Sequence, residues 1–184
     1  RNLHTFINRQ VQFLVHDTLQ KGIKEFSADS GSIIILDPQT AGLIALSSQV
    51  STASATPSAY KNPAISDTFE PGSIFKPLVI AIGLNSQKIN PNYTCHQCTQ
   101  PLTIGQYTIS NWDDSVYPDS DLKQIIKNSD NIAMSHIIRQ IGLETFLDYY
   151  SRLNLDRKTG IDLQGEGRSP VKQYWPEIDL ATAS

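Results

Sequence analysis

A serine followed three residues later by a lysine is the pattern of an activated nucleophile, and this chain of 184 residues holds it four times. On a helix, positions i and i+3 share a face, so the amine lies beside the hydroxyl. A lysine kept partly dry has a lowered pKa and takes the serine proton, freeing the oxygen to attack a carbonyl. Context separates the four pairs. Ser58/Lys61 falls in a Ser/Thr-rich loop, Ser120/Lys123 begins with a helix cap, and Ser169/Lys172 contains Pro170, against a helical arrangement. Ser73/Lys76 follows a Pro71-Gly72 turn and precedes the apolar helix Leu78 to Leu84. That puts Ser73 at a helix N-terminus, where free N–H groups favour an oxyanion, and anchors it in the core. Pro77 removes one donor and biases Lys76 away from the α region. A local rule broken beside a nucleophile is where a functional site is expected.

Ser129-Asp130-Asn131 is the only Ser-x-Asn in the chain, set between two predicted helices. In an extended connection residues two apart point the same way, so Ser129 and Asn131 face one cleft and Asp130 faces away. A hydroxyl proton shuttle and an amide donor on one side suit acyl transfer. Asp130 is expected to cap the helix beginning near Ile132. Lys158-Thr159-Gly160 follows a helix with no strand pattern before it, and reads as a structural turn. Cys95-His96-Gln97-Cys98 offers half a zinc site, but no second Cys or His pair has ligand spacing. A loop disulfide or two free thiols is expected there, and no metal or cofactor.

These residues need a scaffold. Leu3, Ile7, Val11, Leu14, Val15, Leu19, Ile23 and Phe26 recur at three- and four-residue steps, an amphipathic helix of about six turns ending near Ser27. Gly31 to Leu36 reads as a strand buried on both faces, Asp37 to Gly42 as a turn, and Leu43 to Leu46 as a second strand. Ser47 to Ser58 is expected to be solvated loop. Leu102 to Ile109 alternates around Gly105 like a small hairpin. Ser120 is expected to cap a helix over Asp121 to Lys127. A helix over Asn131 to Ile141 stops at Gly142, another covers Glu144 to Leu153, and the chain beyond Gly160 is irregular. The resulting division is residues 1–50 as helix plus strand pair, 51–72 as loop, 73–88 as the active-serine helix and 89–184 as a mostly helical subdomain.

Charge and length narrow the classes. With a net charge of −3 and no basic stripe, a nucleic-acid partner held by phosphate neutralisation is excluded. The longest apolar run, Leu78 to Leu84, is too short to span a bilayer. Any targeting segment or anchor is expected upstream of Arg1.

Asn62 to Pro77 resembles the active-serine segment of penicillin-binding protein transpeptidases, and Lys127 to Ala133 resembles their second motif. Lys158 to Glu166 is similar to the turn between the second and third motifs of the monofunctional class B enzymes, with Gln164 where the family usually has proline. Gly31 to Leu46 resembles the family's opening strand pair, with Ala41-Gly42 in place of its usual Gly-acidic turn. Leu180 to Ser184 resembles the stretch after which the family continues to its third motif, a Lys-Ser/Thr-Gly strand that this chain lacks.

The resemblance implies an α/β (α+β) fold of the penicillin-recognising serine transferase, β-lactamase-like kind. This chain would hold its N-terminal portion, the first strands and helical subdomain, with an incomplete sheet. It implies D,D-transpeptidation of peptidoglycan at the extracytoplasmic face of the bacterial plasma membrane. Ser73 is the nucleophile, Lys76 the acylation base, Ser129 a proton relay, and Asn131 orients the substrate amide. Stem peptides, β-lactam antibiotics, a membrane glycan polymerase and other cell-wall machinery are the implied partners. A β-lactam receptor or β-lactamase of the same fold, and a non-catalytic cell-wall scaffold, are the alternatives that the same residues leave open.

Overall fold

The structure, a computed structural model, describes residues 4–50, 62–168 and 174–183. The Ser58/Lys61 and Ser169/Lys172 pairs lie outside the described residues. The chain divides into two compact units, Arg1–Thr68 with Gly160–Arg168, and Phe69–Thr159 with Ser169–Ser184.

In the first unit, α1 (Arg9–Glu25) packs on an antiparallel pair, β1 (Ser30–Leu36) and β2 (Leu43–Val50). α1 starts later than its apolar spacing suggests because Asn8 caps it, its Oδ1 accepting from Gln10 N at 3.0 Å and Val11 N at 3.1 Å. The Gln12 carboxamide pairs with the Leu46 backbone in both directions, at 2.8 and 3.0 Å. Leu19 lies so close to β1 that a Cβ on Gly31 would meet its Cδ1 at 2.8 Å.

Three expectations change here. β1 is not buried on both faces: Ile33 and Ile35 are half-buried, whereas Ile34 and Leu36 are exposed. Among the described residues it pairs only with β2, and α1 covers one face, so an all-apolar run leaves half its side chains in water. β2 runs past Leu46 to Val50, taking Ser47 and Ser48 out of the expected loop, with Ser47 buried. The stretch expected as loop over 51–72 contains a one-turn helix, α2 (Pro63–Ser66), capped by Asn62.

The second unit is built around α3 (Lys76–Asn85) and α5 (Asn131–Ile141). α3 is apolar on nearly every side and is covered over most of its surface, with Pro77, Ala81 and Asn85 left exposed. Val79, Ile80 and Ile82 share a core with Ile125, Ile132, Met134, Ile137, Ile138 and Ile141. Gly83 lets Ile89 approach: a Cβ there would meet Ile89 Cγ1 at 2.7 Å. Phe146 of α6 (Leu143–Arg152) fills a corner between the rings of Phe75, Tyr150 and Trp175, at 6.4, 6.0 and 6.0 Å between centroids.

Smaller pieces close the unit. β3 (Thr94–Cys95) pairs with β6 (Ser120–Asp121), and β4 (Leu102–Ile104) with β5 (Tyr107–Ile109), the hairpin expected around Gly105. Cys95 and Cys98 form a disulfide, both residues fully buried, which takes their thiolates out of any metal site. Helix α4 (Leu122–Asn128) is capped by Asp121 and not by Ser120: Asp121 Oδ1 accepts from Gln124 N at 2.7 Å while Gln124 Oε1 accepts from Asp121 N at 2.9 Å. Ser120 is instead a buried ladder residue, so Ser120/Lys123 presents no exposed hydroxyl. Among the described residues beyond Gly160 there is one further helix, α7 (Glu177–Ala181), tied to α5 by Ser135 Oγ donating to Ala181 O at 2.7 Å. No helix among the described residues is long and apolar enough to cross a membrane.

Candidate active site

Ser73 and Lys76 are set by a single tight piece of chain. Pro71 and Gly72 lead into a 3₁₀ turn, Gly72–Phe75, and α3 begins at Lys76. Gly72 has φ +58° with open space where a Cβ would stand, so its conformation, not crowding, calls for glycine. Lys76 is helical, with φ −53° and ψ −45°, contrary to the bias expected of a residue before proline. Pro77 falls in the first turn of α3, where its missing N–H has no intrahelical acceptor to lose. The buried face of α3 then holds the helix start in place. Serine and lysine are therefore one 3₁₀ turn apart: Ser73 is exposed, while Lys76 is only 2% exposed.

The second group arrives from the α4–α5 junction. Ser129 ends α4 in the left-handed region at φ 52°, Asp130 is extended, and Asn131 is the first residue of α5. The junction is thus not the extended segment expected. The side chains nonetheless sort as expected, because the left-handed step and the helix start turn Ser129 and Asn131 the same way. Asp130 points inward with no exposure and caps α5, its Oδ1 accepting from Ala133 N at 3.0 Å. Its Oδ2 is buried and makes no hydrogen bond among the described residues.

Lys76 Nζ is the hub. It donates to Ser73 Oγ at 3.1 Å, Ser129 Oγ at 2.9 Å, Ser129 O at 2.8 Å and Asn131 Oδ1 at 2.6 Å. Ser129 Oγ in turn donates to Ser73 Oγ at 3.0 Å. Four oxygens surround a group with at most three protons. Ser129 O and Asn131 Oδ1 are acceptors only, and they fix two N–H groups. The remaining position of Nζ faces the two hydroxyls, where the ammonium offers a proton and the amine a lone pair. Burial holds the Lys76 ammonium below the ordinary lysine range, with the Asp130 carboxylate pulling the other way. An amine with its lone pair on an exposed serine hydroxyl has the geometry that general-base chemistry requires.

Asn131 is itself held. Its Nδ2 donates to Ser110 O at 3.0 Å, which fixes the amide so that Oδ1 faces Lys76, and its backbone N donates to Asn111 Oδ1 at 2.6 Å. The second Nδ2 proton has no acceptor among the described residues. Ser110 and Asn111 escaped the sequence reading, because an Asn-Trp-Asp-Asp-Ser run after a hairpin looks like turn chemistry. A bond to a residue 20 positions on has no local signature. Lys158 stays out of this cluster: it is exposed in an irregular stretch after α6, not on a strand.

The architecture has close counterparts. A crystal structure of a peptidoglycan glycosyltransferase from Burkholderia ambifaria superposes with a TM-score of 0.85 at 22% identity, covering 97% of this chain and 54% of that one. The apo transpeptidase domain of penicillin-binding protein 3 from Burkholderia pseudomallei gives a TM-score of 0.83 at 22% identity, covering 97% of this chain and 51% of that one. The fold is thus that of a penicillin-binding protein transpeptidase domain. The family model of the penicillin-binding protein transpeptidase domain matches residues 31–184, and the chain belongs to that family. Among curated relatives, the peptidoglycan D,D-transpeptidase FtsI of Escherichia coli is 32% identical over 190 residues, which is 100% of this chain and 32% of the relative. The probable peptidoglycan D,D-transpeptidase PenA of Neisseria flavescens is 29% identical over 185 residues, 97% of this chain and 45% of the relative. The chain spans less than half the length of these relatives.

Proposed function

We propose that this domain carries the acyl-transfer centre of a peptidoglycan D,D-transpeptidase, cross-linking stem peptides through an ester on Ser73. The observation that carries the reading is the exposed Ser73 hydroxyl held 3.1 Å from the Nζ of a buried lysine, with Ser129 Oγ bridging the two. Ser73 Oγ attacks the carbonyl carbon of the penultimate D-alanine while its proton passes to the Lys76 amine. As the C–N bond breaks, the departing D-alanine nitrogen takes a proton from Lys76 by way of Ser129 Oγ. An amine of a neighbouring stem peptide then attacks the ester carbonyl and gives a proton to the Lys76 amine; as the C–O bond to Ser73 breaks, that proton passes to Ser73 Oγ. Asn131 holds Lys76 through Oδ1 and keeps one Nδ2 proton for the substrate amide.

The substrates are stem peptides ending in D-Ala-D-Ala, with β-lactams as covalent mimics. A membrane glycan polymerase and other cell-wall machinery are the partners. Peptidoglycan lies outside the cytoplasm, so the domain works on the extracytoplasmic face of the plasma membrane.

Labelled penicillin, incubated with the full-length protein carrying this chain and mapped by mass spectrometry, should modify Ser73 and no other serine. Label on Ser58, Ser120 or Ser169 overturns the assignment, and absence of label favours a scaffold. Lys158→Ala should leave the acylation rate within a few-fold of wild type. A loss of about a hundredfold, as for a missing oxyanion donor, would place Lys158 in the site after all.

A further inference from the structure

We infer that Asn111 is a positioning residue for acyl transfer, orienting Lys76 by way of Asn131; the inference rests on the acyl-transfer reading of Ser73. Asn111 is 3% exposed and lies in the segment that leaves the β4–β5 hairpin. Its Oδ1 accepts the Asn131 backbone N–H at 2.6 Å, and its Nδ2 donates to Ser115 O at 2.9 Å, which fixes the side-chain amide in that orientation. The neighbouring Ser110 carbonyl accepts from Asn131 Nδ2 at 3.0 Å. Two adjacent residues therefore grip Asn131 at its backbone and at its side chain.

That grip matters because of where it acts. Asn131 is the first residue of α5, and its N–H is one of the helix-start donors with no intrahelical acceptor. Asp130 serves the Ala133 N–H instead, so the Asn131 N–H is left to Asn111. With backbone and Nδ2 both tied to the 110–111 segment, Asn131 Oδ1 has one direction left, toward Lys76 Nζ at 2.6 Å. Oδ1 and Ser129 O are the two acceptors that orient the amine, and the hydroxyl-facing position of Nζ follows from theirs. Loosening Asn111 lets Asn131 shift, and Lys76 with it.

The test is stopped-flow acylation of the full-length protein by a chromogenic β-lactam, separating the first-order acylation constant from the dissociation constant of the initial complex. Asn111→Ala should lower the acylation constant by about 10- to 100-fold, the range for small misplacements of a reacting group, with the dissociation constant nearly unchanged. Asn111→Asp keeps the acceptor for the Asn131 N–H but loses the donation to Ser115 O, and should fall between Asn111→Ala and wild type. Leu102→Ala, in the same hairpin and packed on the core, serves as a stability control and should keep the acylation constant within twofold at a comparable fall in melting temperature. Site-resolved hydrogen exchange on the wild-type protein needs no variant: the Asn131 amide should be protected, although it opens a helix. Failure of the wild type to acylate at Ser73 removes the acyl-transfer reading and this inference with it. A wild type that acylates overturns the inference alone if Asn111→Ala acylates within twofold of it, if Leu102→Ala slows acylation equally, or if the Asn131 amide exchanges freely.

Discussion

Lys76→Met should reduce the acylation of Ser73 by at least about a thousandfold, within the range for losing a general base that also returns the proton. Methionine keeps the unbranched stem as far as Cε and lacks Nζ, so the loss reports the amine. The substitution also leaves Ser129 O and Asn131 Oδ1 without their donor, which costs stability at every pH. The pH dependence isolates the charge. Burial lowers the folded-state pKa of Lys76 below its ordinary value of 10.5, so the folded protein binds fewer protons than the unfolded chain between those two values. The penalty for the buried ammonium is fully present below the folded pKa and is relieved as pH rises toward 10.5. Wild-type stability relative to Lys76→Met should therefore increase across that alkaline window. Paired melting curves at stepped pH check it, and a difference that is flat or falling would mean Lys76 is not held as described.

Removing the Ser129 hydroxyl should slow acylation by about a hundredfold. It is the group that touches both Lys76 Nζ and Ser73 Oγ, and no other side chain in the cluster bridges them. Ser129 lies at φ 52°, where alanine is strained, so Ser129→Gly is the cleaner variant and Ser129→Ala the comparison. Both should slow acylation alike while Ser129→Ala melts lower; a glycine variant acylating at the wild-type rate would remove the relay.

Asp130→Asn behaves differently. Asparagine can still cap α5, but its Nδ2 replaces a buried Oδ2 that has no hydrogen bond among the described residues, so the melting temperature should fall. The Asp130 carboxylate raises the Lys76 pKa against the effect of burial, and losing it drives that pKa further down. More of the amine is then present at a given pH, and the acid limb of the acylation profile should move to lower pH. A profile that stays in place would show that the carboxylate does not act on the lysine.

Much of the scaffold is written locally. Asp130 and Gly142 bracket α5 at both ends, Gly105 marks the hairpin, and the all-round apolar character of α3 announces a buried helix, because caps, turns and periodicity involve residues within about four positions of one another. The same locality explains the errors. Ser120 and Asp121 are both good caps, and the reciprocal bonds with Gln124 decide between them. Gly31 to Leu36 has the composition of a doubly buried strand, but burial depends on what packs against it. Lys76 adopts the helical conformation that Pro77 disfavours because the core of α3 outweighs a local preference.

From its residue types and order alone, the chain determined which serine stands at a turn before a buried helix and which short motif lies between two helices. Only the tertiary structure decided that Ser73 and Lys76 meet Ser129 and Asn131, which are 53 to 56 residues away. It also decided that Ser129 enters by a left-handed step and that Asn111 holds the far side of Asn131. Contacts of that kind form where the chain folds back on itself, and the direction of a hydrogen bond across such a fold is set by packing that no window of neighbouring residues contains.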